Sequence, residues 1–94
     1  MSHVRAGVAG VGHLGYHHAR IYSQMEGVTL TGVADPDPSR GRKAAADFGT
    51  RWFATVAELL EAGVDAASVA VPTVAHHETA MALISAGVDV LVEK

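Results

Sequence analysis

The chain contains no cysteine. Disulfides, thiolate nucleophiles and cysteine-ligated zinc are therefore excluded. It carries no long basic run, and its formal net charge is −3. That balance argues against sequence-independent nucleic-acid binding, which rests on neutralising phosphates. No apolar run approaches the roughly 20 residues needed to cross a bilayer. The opening stretch MSHVRAGVAG has no signal-peptide apolar segment. The expectation is a cytoplasmic protein with neither membrane nor nucleic acid as a partner. What is present is apolar mass. With 49% hydrophobic residues, the 94-residue chain is not a disordered one and can build the core of one small domain.

Strand-like and helix-like segments alternate along it. Val4 to Val8 is a short apolar run ending in glycine, as a buried strand would be. Leu14, His18, Ile21 and Met25 follow at spacings of 4, 3 and 4, which predicts one buried helical stripe closed by Gly27. Val28 to Ala34 is the second strand, and Asp35-Pro36-Asp37-Pro38 a turn. Ser39 is the expected cap of a helix with Ala44, Ala45 and Phe48 inward and Gly49 at its end. Arg51 to Phe53 is a short third strand, with Trp52 and Phe53 in the core or at the sheet edge. Thr55 and Glu58 form a capping-box pattern before Leu59 and Leu60. Ala66 to Val71 is the fourth strand. A helix opening at Thr73 or Val74 buries Ala80, Leu83 and Ile84, and Val88 to Val92 is the fifth strand. Such alternation implies right-handed crossovers and a parallel sheet. We expect an α/β, doubly wound sheet of order 3-2-1-4-5.

Gly10, Gly12 and Gly15 fall on the G-x-G-x-x-G spacing, together with His13 and Leu14, between the first strand and the first helix. In a dinucleotide site the first glycine permits the tight turn. The second lets the pyrophosphate approach the backbone, and the third lets helix and strand pack closely. The pyrophosphate then rests on unpaired N–H groups at the helix start. Asp35 stands 20 residues past Gly15, at the end of the second strand, where a carboxylate accepts hydrogen bonds from the adenosine ribose. The carboxylate repels a 2′-phosphate, so NAD is favoured over NADP. Arg40, Arg42 and Lys43 follow closely and weaken that preference. They read either as a solvated helix face or, for Arg40, as a side chain along the adenine.

The stretches GVGHLGYHHARIY, VADPDPSR, VAVPTVAHHETAMALISAG and VLVEK, taken together, resemble the N-terminal half of the glucose-fructose oxidoreductase / inositol dehydrogenase (Gfo/Idh/MocA) family. The resemblance covers essentially the whole chain. It implies a Rossmann domain over residues 1–94, incomplete and without the second α/β domain that supplies most substrate contacts. It further implies oxidation of a sugar, cyclitol or nucleotide-sugar hydroxyl with NAD(P), and homo-oligomers among full-length members. The wording of the first helix and of VPTVAHH looks most like UDP-N-acetylglucosamine 3-dehydrogenases. Members usually read Glu-Lys-Pro where this chain has Glu93-Lys94. The lysine that contacts the reacting hydroxyl and the nicotinamide ribose carries over to Lys94.

Val71, Pro72 and Thr73 are expected beside the nicotinamide ribose, since they follow the fourth strand, next to the first where strand order reverses. His76 opens the next helix and faces either the nicotinamide or solvent. Glu93 steadies Lys94 or touches ribose. No metal is expected. His17-His18 and His76-His77 are adjacent pairs, and helix neighbours point about 100° apart. His18 is expected to be half-buried under the glycine turn. A rival reading is an NAD(H)-sensing regulatory module with no chemistry.

Overall fold

The computed structural model describes residues 3–70, 81, 82, 84 and 87–92. Strand β1 (Val4–Ala9) leads through the glycine turn into helix α1 (His13–Gln24), then β2 (Val28–Ala34) and α2 (Pro38–Phe48). A two-residue β3 (Trp52–Phe53), α3 (Val56–Ala62), β4 (Ala66–Val69) and β5 (Asp89–Val92) complete the order. All strand pairs are parallel, and the sheet order is β3-β2-β1-β4-β5, as the sequence alternation implies.

The core follows from strand alternation, since successive side chains face opposite sides of a sheet. Val8, Leu30 and Val33 meet Val11 and Ala19 near α1 and Ala44 of α2 on one face. Ala34, Ala67 and Val69 meet Leu59 of α3, with Val64 and Val88, on the other. Both faces of the central strands are covered. That is why these strands read as apolar without alternation.

Three local expectations are corrected. The 4-3-4 stripe of α1 is not its buried face: Leu14, Ile21 and Met25 are 39%, 40% and 44% exposed. Gly15 and Ala19 are buried instead. A helix that must approach the sheet closely does so on its smallest residues, while Tyr16 and Tyr22 pack at the flanks of that contact. The cap of α2 is Asp37 rather than Ser39: its side chain accepts from the Ser39 N–H at 2.9 Å, and Pro38 takes the first helical position. Ile84 is 57% exposed rather than inward, while Ala80 and Leu83 lie outside the described residues. The Thr55 cap is as expected, with the Glu58 N–H donating to Thr55 Oγ1 at 3.2 Å.

The start of β1 is fastened to the loop before β4. Asp65 accepts from the Arg5 guanidinium at 3.0 and 3.2 Å and from the Arg5 backbone N–H at 2.9 Å. These bonds lower the Asp65 pKa to about 2. A carboxyl whose folded pKa is depressed contributes stability above its unfolded value, near 3.9, and loses it as pH falls towards the folded one. Asp65→Asn is therefore expected to lower the thermal midpoint at pH 7, with the gap to wild type narrowing between about pH 5 and pH 2. Thermal melts across that range check it, and a gap unchanged at the acid end would contradict it. The pair is half-exposed, so the effect is modest.

Candidate dinucleotide site

Parallel pairing puts all five strand ends on one edge. Phe53, Ala34, Ala9, Val69 and Val92 stand side by side in register across the sheet. The residues that follow them therefore leave the sheet along the same line. Gly10 donates its N–H to Ala34 O at 2.7 Å, and Ala70 donates to Ala9 O at 2.8 Å. This is the C-terminal edge, where the strand order reverses between β1 and β4 and where open α/β sheets bind ligands.

The glycine turn has the shape its sequence implies. Gly10 has φ of 91°, a conformation costly for any residue with a side chain. At Gly15 the requirement is close approach: a Cβ there would lie 1.7 Å from the Gly10 carbonyl oxygen. Gly12 is different, because a Cβ on it would meet nothing within 4 Å. It caps α1 without a side-chain hydrogen bond, and the first helical bond runs from the Tyr16 N–H to Gly12 O at 2.8 Å. The preceding N–H groups of His13, Leu14 and Gly15 have no intrahelical acceptor. An open surface with outward N–H groups at a helix start fits a phosphate.

Asp35 follows β2 directly and is only 2% exposed. Its Oδ2 accepts from the Val11 N–H at 2.9 Å, inside the glycine turn. Its Oδ1 accepts from the Asp37 N–H at 2.8 Å and from Arg40 at 3.1 Å. Burial pushes this carboxyl up. The two backbone N–H bonds and the Arg40 guanidinium outweigh it, and the pKa ends below the ordinary carboxylate value. Asp35 is thus an anion that locks the glycine turn to β2. A carboxylate offers about four acceptor positions, and three are taken. Of the three donors, the half-exposed Arg40 guanidinium is the one that a ribose hydroxyl could replace.

Beside Asp35 lies a cleft of about 250 Å³, walled by Val11, Gly12, His13, Tyr16, Arg40 and Lys43. A hollow of about 580 Å³ lies at the opposite edge, lined by Arg5, Thr29, Thr31 and Arg51 among others. The smaller cleft adjoins the helix start and the buried carboxylate; the larger one touches neither. These features fit an adenosine diphosphate moiety, with the pyrophosphate on α1 and the ribose at Asp35.

Of the residues singled out in the sequence, the structure brings Gly10, Gly12, His13, Gly15, Asp35 and Arg40 together. Leu14 sits exposed on the first turn of α1. Val71, Pro72, Thr73, His76, Glu93 and Lys94 lie outside the described residues. His18 is half-buried and bonds Ser68 Oγ through Nδ1 at 2.9 Å, tying α1 to β4 alongside Tyr22. Two side chains of this region, Tyr16 and Asp47, escape sequence reasoning. Tyr16 lines the cleft, and its hydroxyl donates to Asp47 at 2.5 Å, while Lys43 pairs with Asp47 at 2.7 Å. The i, i+4 spacing from Lys43 is the one signal that marks Asp47 in the sequence.

Comparison with known proteins agrees with this geometry. A family model described as an oxidoreductase family with an NAD-binding Rossmann fold, Gfo/Idh/MocA, matches residues 4–94. A UDP-N-acetylglucosamine 3-dehydrogenase of Acidithiobacillus ferrooxidans is 44% identical over 94 residues, covering 100% of this chain and 29% of the relative. Inositol 2-dehydrogenase 1 of Saccharopolyspora erythraea is 40% identical over 97% of this chain and 28% of its own length. Among solved structures, GenD2 from gentamicin A biosynthesis, in complex with NAD, superposes with a TM-score of 0.94 at 35% identity. That match covers 100% of this chain and 27% of GenD2. The chain thus spans under a third of the length of the relatives it matches. A match along nearly its whole length, on the sheet order and glycine turn described above, places the chain in the NAD-binding Rossmann part of the Gfo/Idh/MocA oxidoreductase family.

Proposed function

We propose that this chain is the dinucleotide-holding part of a cytoplasmic, NAD-dependent dehydrogenase acting on the CH–OH group of a sugar, cyclitol or nucleotide sugar. The observation that carries the reading is the buried Asp35 carboxylate, bonded into the glycine turn through the Val11 N–H at 2.9 Å. An acid held there presents acceptors to the ribose hydroxyls and opposes a phosphate on the 2′-oxygen, which favours NAD over NADP. The N–H groups of His13 to Gly15 would hold the pyrophosphate, and open space at Gly12 admits it.

A nicotinamide dinucleotide supplies hydride acceptance at its C4 position. The chain's own part is to orient it and to manage the substrate proton. Lys94 is our candidate for the second task. It comes two residues after Val92, which pairs with Val69 at the edge where Ala9 ends, and that closeness in sequence supports the assignment. A lysine beside a positively charged ring has a lowered pKa, which suits it to hold a sugar hydroxyl or pass its proton. Val71, Pro72, Thr73 and His76, which come after β4 in the sequence, are assigned to the nicotinamide ribose, and Glu93 to steadying Lys94 or touching ribose. The relatives named for UDP-N-acetylglucosamine and inositol support the substrate class. Substrate contacts and the catalytic base are assigned to sequence beyond the matched stretch of those relatives.

Titration of the 94-residue chain with NADH, followed by nicotinamide fluorescence, tests the reading. Saturable but weak binding is expected, competed by NAD. No steady NADH production from inositol, glucose or a nucleotide sugar is expected from this polypeptide alone. Absence of binding at millimolar NADH would overturn it.

A further inference from the structure

The cleft beside Asp35 is walled by two permanent cations, Arg40 and Lys43, yet each is already paired. Arg40 reaches Asp35 at 3.1 Å and Asp37 at 3.9 Å. Lys43 reaches Asp47 at 2.7 Å and lies over the Tyr16 ring, its Nζ 4.7 Å from the ring centre. The Tyr16 hydroxyl donates to the same Asp47 oxygen and stands 3.4 Å from Lys43 Nζ. Asp47 thereby holds the ammonium in an i, i+4 pair along α2. Around the cleft two cations face three carboxylates, Asp35, Asp37 and Asp47, so the local balance is negative.

We propose that Asp47, with the Tyr16 hydroxyl, is a specificity-determining positioning residue: it restrains Lys43 and so sets the discrimination against a dinucleotide phosphorylated on its adenosine ribose. The inference rests on the reading of this cleft as the adenosine end of a dinucleotide site. A phosphate on that ribose would enter between Gly12, His13, Arg40 and Lys43, where a released lysine is a strong charge-assisted partner. With Asp47 in place, the lysine must give up a 2.7 Å ion pair and an aromatic contact to reach it. Neutralising Asp47 frees the cation and removes one negative charge in a single change. The bonds to Asp35 come from Val11, Asp37 and Arg40 and not from the Lys43–Asp47 pair, so contacts to an unphosphorylated ribose are left alone.

The test is a binding titration of NADH and NADPH, separately, into the wild-type chain, Asp47→Asn, and Asp47→Asn with Lys43→Gln, at low and high salt. Both positions are solvent-accessible, and far-UV circular dichroism checks that each variant keeps the fold. For Asp47→Asn, NADPH affinity is expected to rise about threefold to tenfold, discounted for exposure and screening. NADH affinity is expected to stay within about twofold, since no contact of the ribose carboxylate changes. Adding Lys43→Gln should cancel the gain, and high salt should shrink it. An equal rise for both dinucleotides, no change in their ratio, or a gain that survives Lys43→Gln would each overturn the proposal while leaving the site reading intact. Wild-type protein that binds neither dinucleotide would overturn both.

Discussion

Gly15→Ala is expected to destabilise the domain by about 3 kcal/mol or more and to abolish dinucleotide binding. The added methyl would sit 1.7 Å from the Gly10 carbonyl oxygen, 2.8 Å from its carbon and 3.2 Å from Ala70 Cβ. Two of those atoms are backbone, so no rotamer change relieves the contact. α1 must lift from β1, and the turn that presents the helix-start N–H groups opens with it. The helix-propensity gain of alanine over glycine, about 1 kcal/mol, offsets only part of this. Gly12→Ala makes the informative contrast. Its methyl meets nothing within 4 Å, so stability should hold while binding falls. Urea unfolding together with NADH titration of the two variants separates packing from ligand approach. Equal stability for both would show that the helix does not sit as closely as described.

Asp35→Ala is expected to cost about 2–4 kcal/mol and to remove most of the dinucleotide affinity. The carboxylate is 2% exposed and takes three donors, two of them backbone N–H groups. Alanine leaves the Val11 and Asp37 N–H groups without acceptors, each a penalty of about 1–3 kcal/mol when buried. Arg40 is half-exposed and returns to solvent at little cost. Asn is not a neutral replacement, since its amide group would face one of those N–H donors. The pH dependence identifies the cause. The folded pKa of Asp35 is depressed, so its stabilisation is full above the unfolded value near 3.9 and is lost as pH falls through the folded one. The wild-type advantage over Asp35→Ala should therefore shrink at acid pH. Chemical denaturation at pH 7 and pH 3 reads it, and a penalty independent of pH would assign the loss to packing alone.

What the sequence makes legible here is periodic or punctuated. Alternation of apolar runs with capped helices gives a parallel sheet with right-handed crossovers, and the glycine turn after the first strand points to the doubly wound order. Three glycines and an acid at a set distance point to Asp35 beside the turn. The face of α1 is not legible by the same means. Hydropathy selects Leu14, Ile21 and Met25, whereas close packing selects Gly15 and Ala19, which carry little hydrophobic signal. The ion pairs are hidden for a different reason. Arg40 has Asp35 at 3.1 Å, Asp37 at 3.9 Å and solvent all within reach, and only the fold decides among them. Asp37 replaces Ser39 as a cap because Pro38 has no N–H to place inside the helix and suits its first position.

The central claim is that the C-terminal edge of the sheet, at the glycine turn and Asp35, is where a dinucleotide binds. Backbone amide chemical shifts of the nitrogen-15-labelled chain, followed through an NAD titration, test it most directly. The largest changes are expected at Val11, Gly12, His13 and Gly15 and from Asp35 to Arg40. Amides at Arg5, Thr29, Thr31 and Arg51, on the opposite edge, should stay still. Changes concentrated at that opposite edge, or none at saturating NAD, would contradict the account.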